Sequence, residues 1–242
     1  MSAPTTPRSK HRLPAYIPAG IRNRLYNWHP GRSRRWRQLP GVQRVKGQQA
    51  VLTFDDGPGS DATPEVLAEL ARSGAVATFF VLGREVRREP DLARQIVSEG
   101  HEIALHGFNH LRHDRVSAPD ARRDLERGLE TVESVTGCRP TWFRPPFGRI
   151  SRASYESCGA LGLGLAYWSG WGLDWEETPP ESIVSEVDRK LRGGSIVLLH
   201  DTAEYARLVT AHATAQAVRP IVELGRSRGL TWCTLADAAT RR

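Results

Sequence analysis

The sequence predicts an α/β fold in which a parallel sheet closes into an irregular barrel. Two observations carry this. From Ala50 onward, short apolar runs alternate with stretches of helical periodicity, the pattern of parallel strands joined by helical crossovers. Polar clusters then follow the first, third, fourth, fifth and sixth of these runs. An open doubly wound sheet gathers site residues from the few strands beside one switch point, whereas a closed sheet collects them from the ends of many. Clusters after so many strands converge only if the sheet closes. At 242 residues the chain can bury one sizeable core.

The elements follow in order. Residues 50–54 read as a buried strand. Thr63-Pro64 supplies an N-cap with proline behind it, Val66, Leu67 and Leu70 form an apolar face, and Gly74 ends the helix. Residues 76–82 are a second strand. A helix over 90–98 places Leu92, Ile96 and Val97 on one side before Gly100, and 102–105 is a third, short strand. The longest helix, 117–136, carries Leu125, Leu129 and Val132 and stops at Gly137. Further strands are expected at 141–144, 164–168 and 195–199, with helices at 152–159 and 181–191. A helix over 211–226 leads to a last strand at 231–235. That makes seven β/α units.

Charge is unevenly placed. Residues 1–54 contain Lys and Arg but no acidic residue, so the net charge of +7 is concentrated there and the remainder is net negative. This leader also carries Pro14, Pro18, Pro30, Pro40, Tyr26, Trp28 and Trp36 without an apolar period. Three readings compete: a solvated basic tail, contact with an anionic membrane surface, where basic residues interleaved with aromatics suit headgroups, and nucleic-acid binding, disfavoured because no recognition motif accompanies the charge. Arg34-Arg35 is followed by Trp36, Arg37 and Gln38 rather than an apolar core, which argues against a secretory or twin-arginine signal. No apolar run approaches a membrane span. Cys138, Cys158 and Cys233 form no CxxC pair and suggest neither a disulfide framework nor a zinc ribbon. The cytoplasm is the expected compartment, with a peripheral position at the inner membrane face if the leader binds lipid.

The chemistry lies in the clusters. Asp55 and Asp56, in Thr53-Phe54-Asp55-Asp56-Gly57-Pro58, end the first strand. The plain reading is a capping loop; the functional one is that one Asp binds a cation while its neighbour stays free to take a proton. His106 and His110 follow the third strand at i and i+4, and with Asp56 they can form a set of two histidines and one carboxylate if the segment is helical or turn-like. Zinc, another late first-row metal such as cobalt, or iron(II) suits such ligands. His101 and His113 read as core or surface residues. Arg144-Pro145-Pro146-Phe147-Gly148 follows the fourth strand, where Arg144 can pair with a catalytic carboxylate, against the plain reading of a rigid loop with a solvated Arg. Asp174-Trp175 and Leu198-Leu199-His200-Asp201 follow the fifth and sixth strands, with His200 placed as an acid catalyst.

Taken in order, these motifs resemble the polysaccharide deacetylase family, the NodB-homology enzymes of carbohydrate esterase family 4, over roughly residues 48–240. The resemblance implies a distorted (β/α)7 TIM-like barrel over 48–242, behind an extension over 1–47, and metal-dependent removal of acetyl groups from N-acetylated sugars. It further implies that Asp55 is the general base, that Asp56, His106 and His110 hold the metal, most simply zinc, and that Arg144 orients Asp55. The Phe147 N–H would help hold the oxyanion, His200 would be the general acid with Asp174 as its partner, and Leu198 and Trp175 would line the acetyl pocket. The substrate expected from the absence of a signal is an intracellular oligosaccharide, a lipid-linked sugar or a glycosylated intermediate.

Two positions depart from the family pattern. Gly107 stands where Ser or Thr is usual, which removes a hydroxyl near the metal ligands and is expected to weaken metal binding. Trp171 stands where an Asp is usual, and with Trp168 and Trp175 it offers a stacking surface for sugar, core packing being the rival reading for Trp168. The alternative activity is hydrolysis of a non-sugar linear amide or ureide on the same scaffold. A binding protein without catalysis is disfavoured because Asp55, Asp56, His106, His110 and His200 are all present. A nucleic-acid-binding module is disfavoured because the positive charge lies outside the folded part.

Overall fold

The structure, a computed structural model, describes residues 40–206 and 211–240. The leader readings fall almost wholly on residues outside these. Among the described residues no helix is long and apolar enough to cross a membrane.

The strands are β1 (Gln49–Asp55), β2 (Thr78–Val81), β3 (Glu102–Leu105), β4 (Trp142–Phe143), β5 (Gly164–Leu165), β6 (Gly170–Trp171), β7 (Ile196–His200) and β8 (Thr231–Trp232). The sheet runs β5-β4-β3-β2-β1-β7-β6, all parallel, with β8 beside the start of β1. β1 sits mid-sheet and is buried on both faces from Ala50 to Asp55, which is why its sequence is a continuous apolar run rather than an alternating one. The helices are α1 (Thr63–Ser73), α2 (Gly83–Arg88), α3 (Pro90–Ser98), α4 (Ala118–Thr136), α5 (Arg152–Ala160), α6 (Pro180–Asp188), α7 (His212–Ser227) and α8 (Leu235–Thr240). Gly74 and Gly137 end α1 and α4 in the left-handed conformation, with φ of 57° and 72°.

The sheet curls into a distorted, partly closed barrel. β5 and β6, at the two ends of the strand path, do not pair with each other among the described residues. The chain before β1 lies across this seam: Val42 bridges Ala166 in parallel and Arg44 bridges Ser195 antiparallel. Val42 N–H donates to Leu165 O at 2.8 Å and Val45 N–H to Gly194 O at 2.9 Å. The paired structure therefore begins ahead of the boundary expected at 47/48.

Several elements differ from expectation. The run read as one strand over 164–168 is β5 alone. The chain then crosses towards β7, where Ser169 N–H bonds Ile196 O at 2.9 Å, and β6 forms on the far side of the sheet. The last strand stops at Trp232 because the Thr234 hydroxyl accepts from Asp237 N–H at 3.1 Å and starts α8. The helix expected to 191 ends at Asp188. Thr63 is not the cap of α1. It is the first helical residue, and its hydroxyl donates to Asp201 Oδ2 at 2.7 Å. Helix α2 was not foreseen, being six residues long with arginines on its outer side.

Register places the polar clusters. Asp55 pairs with His200 across β1 and β7, and with Phe80 across β1 and β2. Leu105 pairs with Phe143, so His106 and Arg144 leave neighbouring strands at one level. Trp171 pairs with Leu198. All of these are C-terminal strand ends, and the sequence clusters meet there.

Candidate active site

Three non-glycine residues among those described have positive φ: Asp56 at 79°, Phe147 at 60° and Leu173 at 57°. Such backbone costs about 1–3 kcal/mol and persists where the surroundings over-determine it. All three stand in, or next to, the clusters singled out from sequence.

The left-handed turn at Asp56 separates the roles of two adjacent carboxylates. Asp56 Oδ1 lies 3.3 Å from Nε2 of His106 and 3.3 Å from Nε2 of His110. Asp55 points instead at Arg144, whose Nη1 donates to its Oδ1 at 2.6 Å, while Oδ2 is 3.9 Å from His106 Nε2. Arg144 is fully buried. It also donates to Thr53 Oγ1 at 2.8 Å and Tyr167 O at 2.9 Å, and its guanidinium lies 4.0 Å from the centre of the Phe80 ring. Burial lowers the Arg144 pKa, and the charge of Asp55 opposes this.

Asp56, His106 and His110 offer ligand atoms that all lie within 4.8 Å of one another. Burial by itself would raise the Asp56 pKa, but His110 and His106 beside it outweigh burial and hold the carboxyl below its usual range. Burial also pushes His110 down to about 4, against the pull of Asp56. Near neutral pH the set is thus an ionised carboxylate with a neutral His110. Oδ1 of Asp56 is buried with no hydrogen-bond partner among the described residues. A buried acceptor left so costs free energy unless something fills the gap. The donor set of two imidazoles and a carboxylate fits a divalent late first-row cation.

Around this triad, Phe147 and Tyr205 each pack a ring 4.5 Å from that of His110. Phe147, 57% exposed, tops a tight turn closed by Gly148 N–H on Pro145 O at 2.8 Å. His200 stands opposite. Asp174 Oδ2 accepts from the His200 backbone N–H at 2.6 Å and from the Thr214 hydroxyl at 3.0 Å, and Oδ1 lies 3.2 Å from His200 Nδ1. This leaves Nε2 of His200 as the nitrogen not held by Asp174. Burial would lower the pKa of His200, but Asp174 overrides it and raises it to about 9. Leu198, Trp171 and Leu173 form an apolar cluster with Trp168 and Trp175 at its edge. Trp175 meets His200 edge-on at 5.6 Å.

Every residue predicted from sequence for the site lies at this end of the sheet. Trp171 does not form a platform for sugar: it is 7% exposed and lies under Lys190, whose Nζ is 4.5 Å from the ring centre. Trp168 is half-buried and packs against the core beside Val42, Val45 and Trp142. Four residues near the site were missed: Thr214, Asp201, Tyr205 and Asp124. Asp201 accepts from Thr63, and a Cβ on Gly57 would lie 2.2 Å from its Oδ2, so it packs directly behind the Asp55-Asp56-Gly57 turn. Its place next to His200 and the presence of Asp124 among the apolar positions of α4 were the available signals.

Residues 43–166 match the family model described as polysaccharide deacetylase; Asp174, Leu198 and His200 lie beyond the matched stretch. A peptidoglycan-N-acetylglucosamine deacetylase of Bacillus cereus is 40% identical over 167 residues, 68% of this chain and 76% of that protein. A chitooligosaccharide deacetylase of a Bradyrhizobium species is 36% identical over 159 residues, 65% of this chain and 73% of that one. Other relatives are longer, and the chain spans 35% to 56% of their length. The solved structure of a peptidoglycan deacetylase from Bacillus subtilis superposes with a TM-score of 0.69 at 29% identity, covering 81% of this chain and 90% of that one. Fold, site geometry and these likenesses agree: the chain belongs to the polysaccharide deacetylase family.

Proposed function

We propose that this protein is a metal-dependent hydrolase that removes the acetyl group from the amide nitrogen of an N-acetylated amino sugar, releasing acetate and the free amine. The observation that carries the reading is the division of labour at the end of β1. Asp56 faces two histidines at 3.3 Å, while Asp55 is turned to Arg144 and paired in register with His200. The named activities of the relatives support the substrate class.

A divalent cation held by Asp56, His106 and His110, which we propose to be zinc, would supply Lewis acidity toward the amide carbonyl and the attacking water. Arg144 holds Asp55 by Oδ1, which leaves Oδ2 to take the proton of the water as it attacks. The Phe147 N–H, set by a left-handed turn, donates to the oxygen that gains charge. His200, kept by Asp174 in the orientation that frees Nε2, protonates the departing amine, which is too basic to leave as an anion. Leu198 and Trp175 wall the acetyl methyl.

The test is metal content of protein purified without added metal, with acetate release from N-acetylglucosamine oligomers before and after chelation. About one zinc per chain, with activity lost on chelation and absent in His106→Ala, is expected. Stoichiometric metal without acetate release would move the reading to a non-sugar amide or ureide, and no bound metal would end it.

Asp174→Asn gives a pH prediction. The pKa of His200 is raised to about 9 from 6.5, so the stability this contributes is fully present below pH 6.5 and is lost as pH rises through about 9. The Asp56 charge contributes to this rise and would be offset by a bound cation, which places the alkaline limb of activity at or below pH 9. Without the Asp174 charge that limb should move to lower pH by about 1–3 units. An unmoved limb would separate Asp174 from the acid.

A further inference from the structure

The loop bearing the two histidines is held from behind by a carboxylate outside the ligand set. Asp124, on the buried face of α4, is 5% exposed. Its Oδ1 accepts from the Asn109 backbone N–H at 2.9 Å and from the Asn109 side-chain amide at 3.3 Å. Its Oδ2 accepts from the Phe108 N–H at 3.1 Å and faces His113 Nε2 at 3.3 Å. His113, fully buried, has Nδ1 2.7 Å from Ser154 Oγ on α5. One carboxylate thus fixes two of the four peptide groups between His106 and His110, and a buried chain of polar contacts fixes the carboxylate in turn.

Two glycines make this approach feasible. Gly107 has φ 100°, and a Cβ there would lie 2.5 Å from Asp124 Oδ2. On α4, one turn beyond Asp124, a Cβ on Gly128 would lie 2.7 Å from Leu105 Cδ1 and 3.1 Å from Phe108 N. Gly107 is therefore more than the loss of a hydroxyl. The space a side chain at 107 would need is filled by a carboxylate, which holds two backbone N–H groups of the ligand loop.

We infer that Asp124 is a positioning residue for the candidate metal site, and that residues 107, 124 and 128 form one unit in which the glycines admit helix α4 and its carboxylate to the ligand loop. The inference rests on the assignment of Asp56, His106 and His110 as ligands. It reverses the expectation that Gly107 weakens metal binding.

The test is zinc affinity, measured by competition with a chromophoric chelator, alongside the melting temperature of the metal-free protein. In Asp124→Asn one acceptor becomes a donor facing a backbone N–H, and zinc affinity of the folded protein is expected to fall about 10- to 100-fold. Unchanged affinity in a folded variant with a lowered melting temperature would reduce Asp124 to a purely structural role and overturn the inference. Should Asp124→Asn not fold, Gly107→Ala in the otherwise wild-type chain decides: its Cβ meets the Asp124 carboxylate, and zinc affinity of the folded protein is expected to fall at least about tenfold. Unchanged zinc affinity in folded Gly107→Ala would overturn the inference. Wild-type protein that binds no zinc would overturn the metal assignment and this inference together, whereas normal wild-type binding with unaltered variants overturns the inference alone.

Discussion

Asp55→Asn is expected to lower kcat for N-acetylated oligosaccharides by about 10²- to 10⁴-fold, the usual contribution of a positioned general base, while the protein still binds zinc. The reasoning is geometric. Asp55 shares the end of β1 with Asp56, but only Asp56 faces both histidines at 3.3 Å; Asp55 is committed to Arg144 through Oδ1 at 2.6 Å. An asparagine fills the same volume and can still accept from Arg144, but it cannot take a proton. The paired control is Asp56→Asn, for which zinc binding itself should be lost. Acetate-release kinetics and zinc titration on both variants check the division. Wild-type kcat in Asp55→Asn, or retained zinc in Asp56→Asn, would show that the two adjacent carboxylates have been assigned the wrong way round.

Arg144→Met is expected to destabilise the protein by about 3–5 kcal/mol, the loss found when one partner of a buried ion pair is removed. Arg144 has no exposed surface and Asp55 almost none, so bulk solvent and salt do not replace the missing partner at Oδ1. The guanidinium also links Thr53 on β1, Asp55 and the Tyr167 carbonyl, and lies on the Phe80 ring. Its removal therefore loosens three parts of the barrel at once. Methionine replaces the apolar stem but leaves Oδ1 of the buried Asp55 carboxylate without its charged partner. Guanidinium unfolding curves of wild type and variant measure the difference. A change under about 1 kcal/mol, as for an exposed pair, would mean that the Arg144–Asp55 pair contributes no more than a surface one.

Much of the scaffold was legible because it is built from long-period signals. The continuous apolar run of β1 and the apolar positions of α4 report local burial, and Gly74 and Gly137 report helix ends. The misses were short elements. β6 is two residues long and begins at a glycine, and α2 has six residues, too few to display a period. The segment around Val42 reads as leader by its charge, yet its backbone bonds to Leu165 and Gly194, and backbone pairing leaves no mark in composition.

The site divides in the same way. Residue types at strand ends, their order along the chain and the family resemblance that this order carries were together enough to name Asp55, Asp56, His106, His110, Arg144, Asp174 and His200. Folding decided which of two adjacent carboxylates faces the histidines, since that depends on a left-handed backbone at Asp56. It also decided that Trp171 is core rather than platform, and that Asp124, Thr214 and Asp201 support the site from helix α4, helix α7 and the end of β7. Local sequence reports what each residue can do. Which residues come within 3 Å of one another is set by strand register and helix packing across the whole chain, and neither is written in any single segment.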